Sequence, residues 1–489
     1  MRLFEIVLII INFCTLGWML FSKGNKKKIN VFLLGVLFIA TIIQISAEGY
    51  RTHMLSAYIC LLINLLCLVR KGKKHSKVCN LILAVIYTIF NLIAAVVFRT
   101  VLPALTFEKP TGAYKVGTVT YDWTDETRLE ETTKDSDDKR ELMVQVWYPT
   151  ESTDNLKREL LTKDAREVMK GFQKQYAVPS FLFTHLKYVK SNSYSNAKLS
   201  GKQQKYPLVI FSHGFGLFRG QNIFEVEELA SHGYIVVGID HAYDAAATVF
   251  SNGRVAQFSH SKDEILNGEF LDYMDSHNEV WVKDVQFVLD KIEEINKKDP
   301  ENNFTGRIDL DKIGMFGHSY GGATAAQILM CDSRVKAGIN MDGAFAGKPI
   351  PANGLGKPFM LMDAEMSLKT YKGDNSDFEK VRGMTDDLRK KYIDYYSKMY
   401  IKRNEAISNG GYSLLIHDTS HLSYTGLSLL FPVINISLES PGNVYKIVND
   451  FTLTFFNKYL LGDTSASLEN TAHKYNNVEL AGDKSELVF

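Results

Sequence analysis

Cysteine is scarce and poorly placed for a scaffold role. Only five of the 489 residues are cysteine. Cys14, Cys60, Cys67 and Cys79 lie in or beside long apolar runs, and Cys331 alone lies beyond them. One cysteine cannot close an internal disulfide, so the polar part of the chain is not a disulfide-stapled module. The spacing of the five resembles no zinc site, and no metal or other cofactor is expected. An excess of one charge is missing too: 56 Lys and Arg against 55 Asp and Glu leave a net +1, which gives no reason to expect nucleic acid as a partner. The apolar runs hold no Asp, Lys or Arg in their middles, and Glu5 lies near an end. Buried charge usually accompanies a transport path, so its lack points to a tether. No small-residue cleavage site precedes the first Lys-rich stretch, which argues against a secretory signal peptide.

What is present divides sharply. Residues 1–100 are dominated by four apolar segments, Leu3 to Phe21, Val31 to Ala47, Met54 to Val69 and Val78 to Phe98. Each is close to the roughly 17–25 residues that cross a hydrocarbon core as a helix, the third being the shortest. The loops Lys23–Lys28 and Arg70–Lys77 carry nearly all the positive charge. Lys/Arg-rich short loops stay on the cytoplasmic side. With four crossings, the chain is a multi-pass integral membrane protein whose N-terminus and everything after Phe98 are extracytoplasmic. With three, the polar part changes sides.

After a linker holding Pro103, Pro110 and Gly112, residues 112–465 read as one α/β domain. Two strands are expected at Val119–Tyr121 and Leu142–Tyr148, separated by an acidic, solvated stretch from Asp122 to Arg140. Tyr206–Phe211 and Tyr234–Ile239 are near-continuous apolar runs, as parallel strands covered on both faces should be. Val226–His232 has helical spacing and stops at Gly233, and Asn278–Lys298 reads as a long amphipathic helix. Lys312–Phe316, Val335–Met341, Phe359–Met362 and Ser413–Ile416 continue the strands, with a helix at Tyr320–Met330 and a closing one at Leu438–Leu461. This alternation predicts a mainly parallel sheet covered by helices. Val249 to Tyr273 reads as polar and irregular. The charged insert 366–409, with a helix over roughly Asp377–Ile407, is either a cover for the site or a solvated outer helix. The tail 466–489 reads as loosely ordered.

Gly317-His-Ser319-Tyr-Gly321 matches G-x-S-x-G, a weak pattern alone. Its context lifts it, because an apolar strand runs into it and a helix leaves it, as in the nucleophile elbow of α/β hydrolases. The serine is then exposed at a helix N-terminus, whose dipole favours developing negative charge. A serine hydroxyl needs a base, which must follow the last strand. Of His417 and His421, the second sits further into the loop and can reach over the sheet edge. The orienting acid is either Asp342 or Asp363, which end successive strands, and the pattern alone does not separate them. Two backbone N–H groups must face the oxyanion. Tyr320 supplies one, and Phe215, in the turn Ser212-His213-Gly214-Phe215-Gly216, the other.

Tyr206-Pro-Leu-Val-Ile-Phe-Ser-His-Gly-Phe-Gly-Leu-Phe-Arg219 resembles the equivalent stretch of the platelet-activating factor acetylhydrolases, the plasma-type and type II enzymes also called lipoprotein-associated phospholipase A2. Ala230–Val237, Gly317–Thr324 and Lys336–Asp342 extend the similarity, which covers residues 112 to 460 and is densest from 206 to 342. The resemblance implies Ser319 as nucleophile, Asp342 as acid, His421 as base, and oxyanion amides from Phe215 and Tyr320. It also implies a calcium-independent hydrolase that cleaves short or oxidised acyl chains from the sn-2 position of phospholipids. Two departures stand out. The Asp342-to-His421 interval is lengthened by the charged insert, and the apolar N-terminal region has no counterpart in the secreted enzyme. The expected function is a serine carboxylic-ester hydrolase that forms an acyl-enzyme on lipid or phospholipid esters at a membrane. The alternatives are a general esterase or lipase, an acyltransferase using the same triad, and a non-catalytic membrane binding module.

Overall fold

The computed structural model describes residues 3–22, 26–49, 54–69, 82, 85–90, 107–176, 186–260, 264, 269–301, 303–373, 385–430 and 437–482. It divides into two compact units, the first dominated by residues 1–106 and the second beginning at Phe107.

The first unit contains helices α1 (Leu3–Phe21), α2 (Lys27–Glu48) and α3 (Leu55–Val69). Leu8, Leu34, Leu37, Met54 and Ala57 form its apolar seam. Buried amides tie the helices together: Asn12 Nδ2 donates to Ala57 O at 3.4 Å, and Tyr58 OH donates to Gln44 Oε1 at 2.7 Å. Such bonds are favoured between helices wherever water cannot compete. Four spans were expected. Among the described residues only α2 is long and apolar enough to cross a membrane, and Leu3–Met19 and Leu55–Leu65 are shorter apolar helices. Most of the fourth segment, Val78 to Phe98, lies outside the described residues.

The second unit is an α/β fold with a mainly parallel central sheet. Its strands are β1 (Lys115–Leu129), β2 (Lys139–Thr150), β3 (Arg158–Leu160), β4 (Lys190–Ser195), β5 (Tyr206–Ser212), β6 (Ile235–Asp240), β7 (Ala247–Val249), β8 (Val255–Gln257), β9 (Ile308–His318), β10 (Val335–Met341), β11 (Phe359–Ala364), β12 (Gly411–Ile416) and β13 (Val478–Ala481). Among the described residues its helices of five or more residues are α4 (Ala165–Tyr176), α5 (Ile223–Ser231), α6 (Glu269–Lys297), α7 (Tyr320–Cys331), α8 (Glu365–Tyr371), α9 (Asp386–Ile407), α10 (Pro441–Tyr459) and α11 (Leu468–Ala472). Among the described residues the large sheet has eleven strands in the order β13-β12-β11-β10-β9-β5-β6-β2-β1-β4-β3. The block from β6 to β12 is parallel, and β2 joins it antiparallel. Every residue of β5, β6, β11 and β12 is buried, which is why these strands read as unbroken apolar runs. Small residues let α7 lie close on the sheet, since a Cβ on Gly322 would stand 2.2 Å from Asn340 Oδ1.

Three expectations need correction. The stretch from Asp122 to Arg140 is not merely a solvated spacer, because β1 and β2 run on as a hairpin with Asp125 opposite Arg140. Arg140 is buried with Asp284 and Glu130, so charges that suggested solvent are paired inside. Val249 to Tyr273 is not wholly irregular: β7 and β8 form a hairpin, and α6 begins at Glu269. The tail after Gly462 forms α11 and then β13, which pairs antiparallel with β12 from Ser413↔Ala481 to Ile416↔Val478. The four residues Val478-Glu-Leu-Ala481 add an edge strand because β12 offers them unpaired backbone groups.

Candidate active site

β9 ends at His318 and α7 begins at Tyr320, which leaves Ser319 alone in the turn at φ 55° and ψ −120°. That left-handed φ is unfavourable for a residue with a Cβ and survives only where the surroundings dictate it. The surroundings are two glycines. A Cβ on Gly317 would stand 2.2 Å from Gly321 O, and one on Gly321 would stand 2.1 Å from Ser212 O. The elbow can therefore form only with glycine at both places.

Asp342 follows β10 and is also left-handed, at φ 52°. His421 opens a short 3₁₀ turn, His421–Tyr424, beyond β12, and Ser420 and Ser423 form a reciprocal cap there. The parallel sheet brings these strand ends to one rim. His421 Nε2 lies 3.0 Å from Ser319 Oγ, and His421 Nδ1 lies 2.7 Å from Asp342 Oδ2. Asp342 Oδ1 accepts the Ala364 N–H at 2.8 Å, and Oδ2 also accepts the Ser367 hydroxyl at 2.6 Å. A carboxylate held by so many donors can present only one edge to the imidazole. His421 is 43 % exposed at its side chain while Asp342 is buried, so the chain of bonds runs from the interior to an open end.

The other candidates lie elsewhere. Asp363 is buried in an ion pair with Arg403 of α9 and is also bonded to Ser413 Oγ at 3.3 Å. The charged insert is thus anchored by its C-terminal end, with Met399, Arg403, Ala406 and Ile407 buried. His417 Nε2 meets Glu479 of β13 at 2.7 Å. Phe215 sits in the turn after β5, where a Cβ on Gly214 would be 3.3 Å from Ser319 Cβ, so this backbone runs against the elbow. The neighbouring amides are engaged, Gly216 N–H by Asp244 O and Leu217 N–H by Gly214 O. The Phe215 and Tyr320 rings meet edge-on with centroids 5.7 Å apart.

Several contributors were not singled out from the sequence. Ser367 shows no motif, because its role depends on α8 starting immediately after β11. His318 Nε2 donates to His421 O at 3.0 Å, and burial, with the His421 ring beside it, holds His318 neutral, well below the ordinary histidine range. The x in G-x-S-x-G carries no pattern that would reveal this. The structure also contains a second Ser–His–Asp chain: Ser212 Oγ lies 3.1 Å from His241 Nε2, and His241 Nδ1 lies 2.9 Å from Asp284 Oδ2. All three are fully buried, and Ser212 ends a regular strand. Burial opposes ionisation of Asp284, but Arg140 and His241 outweigh it and keep the carboxyl well below its ordinary range. With no exposure, this second chain can only hold the fold. Among the described residues no cluster of His, Cys, Asp and Glu has the makings of a metal site.

Fold and site together define an α/β protein whose half-buried serine stands on a strand–turn–helix elbow beside a partly exposed histidine. The family profile "Platelet-activating factor acetylhydrolase, isoform II" matches residues 100–346, half of the chain, and the chain belongs to that family. The matched span takes in Phe215, Ser319, Tyr320 and Asp342 and ends before His421. A platelet-activating factor acetylhydrolase from Cavia porcellus is 28 % identical over 224 residues, which is 41 % of this chain and 49 % of that protein. One from Bos taurus is 33 % identical over 161 residues, 28 % of this chain and 35 % of that one. A probable 1-alkyl-2-acetylglycerophosphocholine esterase from Arthroderma benhamiae is 29 % identical over 150 residues, 31 % and 34 % respectively. The chain spans about half the length, or less, of these curated relatives. A solved structure of a ferulic acid esterase from Streptomyces cinnamoneus has a TM-score of 0.54 at 24 % identity, covering 76 % of this chain and 98 % of that one. That likeness is one of fold.

Proposed function

We propose that the chain is a serine carboxylic-ester hydrolase of the α/β-hydrolase type, acting through an acyl-enzyme on lipid or phospholipid-type esters. The observation that carries this reading is the unbroken chain from Ser319 Oγ through His421 to Asp342, set on a strained elbow and open at the serine end. In this reading His421 takes the Ser319 proton as Oγ attacks the ester carbonyl, then returns it to the departing alcohol. Water, activated by the same imidazole, releases the acid. Asp342 fixes the imidazole with Nε2 towards the serine. The amides of Phe215 and Tyr320 receive the oxyanion, the second from the N-terminus of α7, where free N–H groups and the helix dipole favour negative charge. The acetylhydrolase relatives support an acetyl or other short acyl group on a glycerophospholipid. The apolar N-terminal region supports a membrane tether of up to four spans, with the hydrolase unit on the extracytoplasmic side, and a tether would keep the enzyme close to membrane lipid esters.

The test joins a label to a substrate series. A fluorophosphonate probe should label the protein, and Ser319→Ala should abolish both the label and hydrolysis. Across glycerophosphocholines with sn-2 chains of graded length, activity should fall as the chain lengthens. A wild-type protein that takes no label would overturn the reading, and equal rates for acetyl and palmitoyl esters would overturn the short-chain preference.

A further inference from the structure

Asn222 immediately precedes α5, a place where asparagine ordinarily bonds the free N–H groups of the first turn. It makes no such bond. Its side chain turns inward instead. Asn222 Nδ2 donates to Tyr424 O at 3.0 Å, to Glu225 Oε2 at 2.8 Å, and faces Met341 Sδ at 3.8 Å. Asn222 Oδ1 accepts from Gln221 Nε2 at 2.9 Å, and Gln221 Oε1 accepts the Gly214 N–H at 2.8 Å. The Gln221 carbonyl accepts the Gly426 N–H at 2.9 Å. Both residues are at most 1 % exposed.

The two ends fix the orientation of both amides. The Gly214 N–H can only donate, and the Tyr424 carbonyl can only accept, so each amide in between has one permitted direction. The result is a continuous line: Gly214 N–H to Gln221, Gln221 to Asn222, Asn222 to the Tyr424 carbonyl. One end is the residue before Phe215, and the other is the last residue of the turn that His421 opens. Asn222 also touches Met341, the residue before Asp342.

We infer that Gln221 and Asn222 are positioning residues, a buried amide clamp that holds the oxyanion turn and the histidine turn at a fixed separation. This rests on the reading of Ser319 and His421 as nucleophile and base. Neither amide touches the reacting atoms. They act by keeping the Phe215 amide and the His421 ring in register with Ser319, where displacement by about 1 Å costs roughly a hundredfold in rate. The buried hydrogen bonds make the clamp stiff, since every amide hydrogen-bonding direction it uses is opposed by a fixed partner.

The full-length protein in detergent would be assayed as wild type, Gln221→Ala, Asn222→Ala and the double variant, with p-nitrophenyl acetate as substrate and fluorophosphonate labelling in parallel. Labelling of the wild type checks the underlying reading by itself. Each single variant is expected to lose roughly 10- to 100-fold in kcat, with KM changed by less than about threefold. The double variant should lose no more than the worse single, because either substitution breaks the same line. Gln327→Ala, which removes a buried amide bonded to the Lys348 backbone away from this line, should lower the unfolding midpoint and spare kcat. Two results overturn the clamp: kcat within about twofold of wild type in a folded single variant, or losses that multiply in the double variant. Asn222→Ala forfeits no helix cap, and kcat is taken per fluorophosphonate-labelled site, so a partly folded preparation of either single variant still decides the clamp.

Discussion

Asp342 and Asp363 end neighbouring strands of one sheet, and nothing in their local sequence ranks them. Their partners do. Asp342 has a histidine and two neutral donors, while Asp363 has a buried guanidinium. The two asparagine variants should therefore fail in different ways. Asp342→Asn keeps the shape but offers the wrong hydrogen-bonding edge to His421, so kcat should drop by about 10⁴ with little change in stability. Asp363→Asn leaves Arg403 buried without its counter-charge, which should cost about 3–5 kcal/mol of stability while folded protein keeps its turnover. Steady-state kinetics and urea unfolding on both variants separate the cases. Ser212 poses a similar problem, because its bonds to His241 and Asp284 copy those of Ser319. Ser212→Ala should retain full fluorophosphonate labelling and lose about 1 kcal/mol, the value of one buried hydrogen bond, as read by mass spectrometry of the labelled peptide and by denaturation.

At the scale of elements, the central strands were legible because burial on both faces leaves runs such as Val209-Ile-Phe211 and Ile235-Val-Val237 with no other reading. The elbow was legible because glycines must flank it. The ends of the sheet were not. β1 continues through Asp122–Leu129 because its charges find partners far along the chain, Arg128 with Asp284 above all, and no window of sequence contains both. β13 escaped notice because four residues in a polar tail give no periodic signal until β12 offers them an edge. Of the site, Ser319 and the two loops that carry Asp342 and His421 could be found by their places after strands, whereas Ser367, Gln221 and Asn222 are defined only by what they touch. β13 gives a prediction of its own. Ending the chain at Gly462 would uncover β12 and release His417 from Glu479. The amides of residues 413–416 should then exchange with deuterium at least about tenfold faster, and soluble yield should fall, because an open edge strand recruits other chains.

Across the whole α/β unit, buried ionisable groups set the response to pH. Burial lowers His213 and His241 to about 4 from an ordinary 6.5. Their contribution to stability is complete above 6.5 and is lost as pH falls towards 4, because the unfolded chain takes up protons that the folded one refuses. Burial raises Glu225 and Glu227 to about 7 from 4.5. Theirs is complete below 4.5 and is lost as pH rises through 7. Between pH 4.5 and 6.5 the two pairs oppose each other, and His318, also lowered by burial, adds to the histidine side. Glu227→Gln tips the balance. Glutamine can still accept from Asn192 and donate to Ser193, so the variant should match wild type near pH 4.5 and exceed it by about 3 kcal/mol at pH 8, as urea unfolding at the two pH values would show.

The duplicated serine arrangement bears on how enzymes are recognised. A geometric template of hydroxyl, imidazole and carboxylate would find this protein twice, with nearly the same distances. What separates the two hits is whether a reactant can arrive: one ends at a histidine whose side chain is 43 % exposed, the other is fully buried, with Trp281 stacked on His241 and Arg140 paired to Asp284. Any catalogue built on such templates needs a path from bulk solvent as its fourth coordinate.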